Sequence, residues 1–340
     1  MRVTIKDVAE KASVSHATVS RALRDHPLVA PDTTVRIKRI ADELGYIPSA
    51  VARGLKNGSP RALGVIVSRI DDPYFSEVLQ GIEDVLQHAA YSYFLAASNR
   101  DYNREKAIVQ IMSERRVDGI IICSTSVSQE HHRQFRKFGV PIVLINNQSP
   151  EENENSIYHD DQFGNRQLTR HLIKLGHKRI GYLANVLAGR TTEYRLASIK
   201  EEMNAAGLSI PAAYIFQGPN GRPEAGMLGG EYFLQLPNRP TAIICFNDMM
   251  AIGMLKALHQ AGLHAPADCS VVGFDNISIS AYVNPSLTTF DQPKYHLGRK
   301  AAQMMLGILS PSSEEEARQP NVIMTRGEIL VRESSGPPPN

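Results

Sequence analysis

The stretch Val14-Ser15-His16-Ala17-Thr18-Val19-Ser20-Arg21-Ala22-Leu23-Arg24 decides the N-terminal fold. Val19, Ala22 and Leu23 fall on one face at helical spacing, and Ser15 stands where its side chain can cap the first turn. His16, Ala17, Thr18, Ser20, Arg21 and Arg24 are left to the other faces. Arg21 carries the planar donor fork that matches guanine O6 and N7. His16 can donate or accept at a base edge. Ala17 lets a helix approach closely and can touch a thymine methyl. Thr4, Ser15, Thr18 and Ser20 supply hydroxyls suited to phosphates. These features describe a helix built to lie in a DNA major groove; a small solvated helix is the plain alternative.

Upstream, Thr4-Ile5-Lys6-Asp7 opens another helix. Thr4 stands at its cap, Asp7 in its first turn, and Ile5, Val8, Ala9 and Ala12 on one face. A turn at 12–14 joins the two, which is the helix-turn-helix pattern. Downstream, Pro31 and Asp32 begin a third helix whose buried side is expected to be Val35, Ile37, Ile40, Ala41 and Leu44. Gly45 ends it. Residues 49–58 then read as a two-turn helix capped by Ser49, too short to stand alone in water and further weakened by Gly54. It is expected to order only against a partner helix and DNA. Leu55 is then an exposed apolar wedge for a minor-groove step, with Lys56 beside it. A flexible linker is the alternative.

Val3–Lys56 resembles the DNA-binding headpiece and hinge of the lactose-repressor (LacI/GalR) family. The likeness is carried by the run from Thr4 through Leu23 and by Leu44-Gly45-Tyr46-Ile47-Pro48-Ser49-Ala50-Val51-Ala52-Arg53-Gly54-Leu55-Lys56. It implies that His16, Ala17 and Arg21 read bases and that Leu55 is the intercalating hinge leucine. Ala30 and Arg24 depart from the residues common in the family.

Charge divides in the same sense. Residues 1–60 carry ten Lys or Arg against six Asp or Glu, whereas residues 61–340 carry 27 against 29. A basic head on a slightly acidic body suits a polyanion partner for the head. The N-terminus lacks the apolar core of a secretory signal, and no apolar run has the length of a membrane span. Cys123, Cys245 and Cys269 lie far apart and sit in or beside apolar runs. They read as buried small hydrophobes in a reducing cytoplasm. The expected location is cytoplasmic, with no membrane partner.

From residue 61 onward, apolar β-branched runs alternate with amphipathic stretches. Strands are expected at 62–68, 92–97, 119–123, 141–145, 179–183, 214–217, 242–246 and 270–274. Helices are expected at 74–90, 104–115, 129–138, 162–175, 192–206, 224–236 and 248–261. This βαβα alternation predicts an α/β body with parallel sheets in two similar lobes, helices on both faces. Neither a dinucleotide nor a triphosphate glycine loop is present. No nucleophile–base set or metal-spaced histidine cluster emerges either; His131, His132, His171 and His177 read as solvated. The chain is therefore not expected to be an enzyme or to carry a cofactor or metal.

Parallel lobes bind ligands at the carboxyl ends of their strands. The residues there include Asp71, Asp72, Tyr74, Phe75, Asn146, Asn147, 190–195, Asn247, Asp248 and Asp275. Amides, carboxylates, a guanidinium and aromatic rings are the groups that hold a sugar. The family resemblance continues to about Ser334 through Asp71–Val78, Val117–Ile122, Gly176–Leu183, Pro240–Gly253, Val271–Ile277 and Leu287–Pro293. It implies a body like a periplasmic sugar-binding protein, with three crossovers between its lobes. It also implies effector contacts at Tyr74, Phe75, Asn146, Arg195, Asn247 and Asp275. Asn146 stands where many members have Asp, and Ser198 where Gly is common.

The expected organisation is a helix-turn-helix headpiece at 1–48, a hinge at 49–60 and an effector-binding and dimerisation body at 61–334. The N-subdomain would span 61–160 plus 292–322 and the C-subdomain 161–291 plus 323–334. A loop at 312–316 and a disordered tail at 335–340 complete the chain. The expected protein is a homodimeric, ligand-responsive transcriptional repressor of sugar metabolism that binds pseudo-palindromic double-stranded operator DNA. Its effector, a sugar or derivative between the lobes, changes DNA affinity by allostery. A sugar-transport binding protein and an enzyme on the same scaffold are the rival readings.

Overall fold

The computed structural model describes residues 3–46, 60–123, 137–146, 155–311 and 321–339. The expected hinge helix, with Leu55 and Lys56, lies outside the described residues, as does nearly all of the helix expected at 129–138. The chain divides into two compact units between Arg61 and Ala62.

The first unit contains α1 (Ile5–Lys11), α2 (His16–Ala22) and α3 (Pro31–Glu43). Asp7 accepts from the Thr4 backbone N–H at 2.6 Å and from the Thr4 hydroxyl at 2.8 Å, so the first turn of α1 is tied at its cap. Ser15 Oγ accepts from the Thr18 N–H at 3.1 Å and starts α2. Val8, Ala12, Val19, Ala22, Ile37 and Ala41 close a small core. Val35 departs from expectation and is 68% exposed. The inward stripe of α3 runs through Thr34, Ile37, Ile40 and Ala41, and Val35 lies outside that three-to-four-residue spacing.

The second unit holds two six-stranded sheets among its described residues. In chain order its elements are β1 (Ala62–Val67), α4 (Tyr74–His88), β2 (Ser92–Ala97), α5 (Tyr102–Glu114), β3 (Gly119–Cys123), β4 (Ile142–Ile145) and β5 (Asn155–His159). Then come α6 (Asp161–Lys174), β6 (Ile180–Asn185), α7 (Arg190–Ala205), β7 (Ile215–Gly218), α8 (Pro223–Leu234), β8 (Ala242–Cys245), α9 (Asp248–Gln260) and β9 (Ser270–Asp275). β10 (Thr288–Asp291), α10 (Lys294–Leu309), β11 (Val322–Thr325) and β12 (Glu328–Leu330) complete it. The N-lobe sheet runs β11-β5-β4-β3-β1-β2 and the C-lobe sheet β12-β10-β9-β8-β6-β7. Pairing is parallel except between β10 and β12. Every residue of β1, β3, β6, β8 and β9 is buried, as strands covered on both faces require.

The chain passes between lobes three times: after β5, between β10 and α10, and between β11 and β12. The third passage lies later than expected. Residues 322–325 pair with β5 and so belong to the N-lobe, and the switch falls at Arg326-Gly327. A Cβ on Gly327 would sit 1.7 Å from the Asp291 carbonyl, so only glycine allows these two passages to touch.

β5, β10, α10, β11 and β12 were absent from the alternation read along the sequence. β5 reads Asn-Ser-Ile-Tyr-His, a polar run, yet Ser156 and His159 are wholly buried by neighbouring layers. The tail expected to be disordered is tied to the C-lobe. Ser334 is fully buried, its Oγ donating to the Val271 carbonyl at 2.6 Å, and the Gly336 N–H donates to Ser270 Oγ at 3.0 Å. His177, expected in solvent, is 1% exposed. Its ring nitrogens lie 2.9 Å from Thr241 Oγ1 and 2.8 Å from the Gly336 carbonyl, and burial holds its pKa below the usual histidine value. The three cysteines are buried, as expected, and burial pushes the Cys123 and Cys269 thiols up to about 12.

Candidate DNA-reading helix and effector cleft

α2 turns Val19 and Ala22 into the headpiece core, which leaves His16, Ala17 and Arg21 exposed on the outer side. The hydroxyl groups named for phosphates differ in what they have left to give. Thr4 spends its proton on Asp7. Ser15 and Thr18 share a contact of 2.9 Å. Arg24 folds back over the end of α2, its Nε donating to the Ser20 carbonyl at 2.9 Å and its Nη2 to Ser20 Oγ at 3.0 Å. Ser20 only accepts in that bond, so its own proton remains available to a phosphate oxygen.

In the body, one cleft of about 500 Å³ gathers all six residues expected to meet an effector: Tyr74, Phe75, Asn146, Arg195, Asn247 and Asp275. The topology explains the convergence. Tyr74 and Phe75 open α4 after β1, and Asn146 follows β4. Arg195 lies in α7 after β6, Asn247 follows β8, and Asp275 ends β9. Asp72, which the strand-end reading included, also lines the cleft.

Arg100, Asp161, Phe246 and Gln292 line it too and were not singled out from sequence, whereas Thr191, also in the lining, falls in the strand-end range 190–195. Arg100, Phe246 and Gln292 follow β2, β8 and β10, so the strand-end rule would have found them. For Gln292 the strand itself went unread.

Arg195 is 5% exposed and rigidly held. Its Nε and Nη2 donate to Asp161 Oδ1 at 2.9 and 2.5 Å, and its Nη1 donates to the Phe246 carbonyl. The guanidinium carbon lies 3.8 Å from the Phe274 ring centre and 4.5 Å from that of Phe246. Burial alone would raise the Asp161 pKa, but Arg195 and His159 outweigh it and hold the carboxyl below its usual range. For Asp275 burial wins: its pKa is raised well above the ordinary carboxylate value, with Arg195 opposing.

Asn247 caps α9 by accepting from the Met250 N–H at 2.9 Å, while its Nδ2 donates to the Gly221 carbonyl at 3.1 Å. Phe75 packs edge-on against Tyr74 with ring centres 5.2 Å apart. A hydrogen-bonded chain crosses from one lobe to the other. Asn146 Nδ2 donates to the Tyr74 hydroxyl oxygen at 2.7 Å, Tyr74 O–H to Gln292 Oε1 at 3.3 Å, and Gln292 Nε2 to Asp275 Oδ1 at 2.6 Å. Ser198, in α7, donates to the Arg195 carbonyl at 2.8 Å. Two further contacts bridge the lobes: Arg100 Nη1 to the Leu187 carbonyl at 3.0 Å, and Arg222 Nη2 to Asp71 Oδ2 at 3.2 Å.

Among the described residues, no group of three or more His, Cys, Asp or Glu is placed to hold a metal ion, and no helix is long and apolar enough to cross a membrane.

A three-helix headpiece, and a two-lobed α/β body with a polar cleft at its strand ends, define the class of ligand-responsive DNA-binding regulators. Comparison with known proteins specifies it further. Residues 4–49 match the model of bacterial regulatory proteins of the lacI family, and residues 169–335 that of a periplasmic binding protein-like domain. The chain is 32% identical over 332 residues to the HTH-type transcriptional repressor PurR of Aliivibrio salmonicida, covering 97% of this chain and 98% of that protein. It is 34% identical over 333 residues to the PurR repressor of Pasteurella multocida, covering 97% and 98%. Among solved structures, the Lac repressor dimer bound to operator and the anti-inducer ONPF matches with a TM-score of 0.85, 26% identity, and coverage of 99% and 100%. The transcriptional regulator CelR–cellobiose complex matches with a TM-score of 0.72, 25% identity, and coverage of 98% and 100%. The chain belongs to the LacI family of bacterial regulatory proteins. It is a DNA-binding transcriptional regulator from a family of repressors, not an enzyme.

Proposed function

We propose that the protein is a homodimeric, cytoplasmic repressor that binds a pseudo-palindromic operator and is controlled by a small polar effector held between the body lobes. α2 lies in the major groove, with His16, Ala17 and Arg21 at base edges and Ser15, Thr18 and Ser20 toward phosphates. Thr4 joins them if its hydroxyl leaves Asp7. Leu55 and Lys56 enter the central minor groove between the half-sites. The dimer reading is supported by exposed apolar groups in the body. Edge strand β2 leaves Phe94 and Leu95 exposed, and Tyr282 beyond β9 is 82% exposed.

The observation that carries the effector reading is the convergence of Tyr74, Phe75, Asn146, Arg195, Asn247 and Asp275 on one cleft. A sugar or sugar derivative is the first candidate, because amide and carboxylate groups beside aromatic rings suit hydroxyls on a ring. Solved relatives carry cellobiose and ribose. A flat nitrogen heterocycle is the second, favoured by the Tyr74, Phe75 and Phe246 rings in the lining.

The test has two parts. Thermal-shift screening of the full chain against neutral sugars and nucleobases is expected to find a stabilising ligand. Footprinting on genomic fragments is expected to reveal a palindrome whose protection that ligand changes. No protected palindrome at any salt or ligand condition would sink the operator reading.

A further inference from the structure

The chain from Asn146 to Asp275 has a direction, and its direction decides what the cleft offers a ligand. This step rests on the reading of the cleft as the effector site. Gln292 turns its NH2 to Asp275 Oδ1 at 2.6 Å and its carbonyl to the Tyr74 hydroxyl at 3.3 Å. A phenol has one proton. Tyr74 gives it to Gln292, which leaves its oxygen to accept. Asn146 must then turn its NH2 toward Tyr74. The Asn146 face left over is its carbonyl: Oδ1 is buried and has no partner among the described residues. Thus a group on one lobe is oriented by a carboxylate on the other, through Tyr74 and Gln292, both buried.

The charges of the lining act in the same sense. Its cations are Arg100 and Arg195, and its carboxylates are Asp72, Asp161 and Asp275. Arg195 is committed to Asp161 at 2.5 Å, and Arg100 Nη1 donates to the Leu187 carbonyl at 3.0 Å. Both guanidinium groups are therefore already engaged by the protein.

We infer that the cleft selects a neutral effector that presents O–H or N–H donors to both lobes, one to Asn146 Oδ1 and one to the Asp275 carboxylate. A ligand that brought a carboxylate or phosphate oxygen to either wall would face an acceptor and lose the hydrogen bond, leaving buried polar groups unpaired. Asn146, rather than an acid, is then a specificity-determining residue. Its carbonyl is an acceptor without charge, and its amide is what keeps the chain aligned.

Calorimetry on the full chain tests this with pairs that differ by one ionised group: D-glucose and D-glucuronate, D-ribose and D-ribose 5-phosphate, uracil and orotate. Binding is expected to fall on neutral members, with the anionic partner about tenfold weaker or more. An anionic member that binds as tightly as its neutral partner would overturn the inference. If neither member of any pair binds, the effector reading loses that support, and the direction of the chain is decided on the free protein. The Asn146 side-chain amide signal, assigned by its loss in Asn146→Asp, is expected to exchange with deuterium slowly. In Tyr74→Phe it is expected to exchange about tenfold faster or more. Equal exchange in the two proteins would overturn the inference independently of any ligand.

Discussion

The Lys294 ammonium donates to the Asp275 backbone carbonyl at 2.6 Å, joining the first residue of α10 in the N-lobe to the last residue of β9 in the C-lobe. Lys294 is 1% exposed. Its Nζ also lies 3.1 Å from the Asn276 carbonyl, 3.3 Å from Asp291 Oδ1 and 3.5 Å from Glu77 Oε1. Asp275 and Asn276 both have positive φ, 119° and 51°, a backbone that needs such support. One buried charge therefore holds the turn that carries Asp275 and ties it to α4, through Glu77, and to the second crossover.

Replacing Lys294 with Met keeps the apolar stem but removes the ammonium. The variant is expected to lose about 3 kcal/mol of stability in urea unfolding, because several buried oxygens lose their shared donor. A change below about 0.5 kcal/mol would show that the lobes hold this turn without it.

Arg21→Ala is expected to weaken operator binding by about 1–3 kcal/mol and to relax base preference at one position of each half-site. Binding to a set of operators with single-base changes measures both. Uniform weakening across the set would mark Arg21 as a phosphate contact instead.

Leu55→Ala is expected to reduce the bend in bound DNA, read by circular-permutation gels. An unchanged bend would remove the wedge role.

Asp248 gives the body a pH dependence of definite sign. It is fully buried, and burial raises its pKa to about 7, with hydrogen bonds from Thr289 and the Ile277 N–H opposing. A carboxyl whose folded pKa lies above its unfolded value contributes stability that is fully present below the unfolded value. That contribution is lost as pH rises toward the folded value. The stability of Asp248→Asn relative to the native chain is therefore expected to increase from pH 4.5 to pH 7.5, measured by urea unfolding. A flat or falling difference would show that Asp248 is ionised throughout.

The C-terminal segment is expected to behave as part of the C-lobe core. Deleting residues 334–340 removes the Ser334–Val271 and Gly336–Ser270 bonds and uncovers His177. The truncated protein is expected to lose about 2 kcal/mol or more and to melt lower in calorimetry. An unchanged melting temperature would show that the tail is disordered, as the sequence alone suggests.

Most of the candidate site was legible because it obeys a local rule. Tyr74, Asn146 and Asn247 follow a strand, and Asp275 ends one, whose apolar run is plain in the sequence. Gln292 and Lys294 were not legible in that way. They follow β10, a four-residue strand rich in threonine, and their roles come from partners on other elements. His177 was misread for the same cause: nothing local shows that Thr241, Ser270 and Gly336 close around it.

The sequence alone determined the headpiece helices, the alternation of strands and helices, and the family. Each rests on periodicity, capping residues or short motifs that act over a few positions. Only the tertiary structure decided where the third crossover falls and that the tail is buried. It also decided that a directed hydrogen-bond chain runs from Asn146 to Asp275. Those depend on hydrogen bonds between residues far apart in the chain, within a lobe for the tail and the crossover and between lobes for the chain from Asn146 to Asp275.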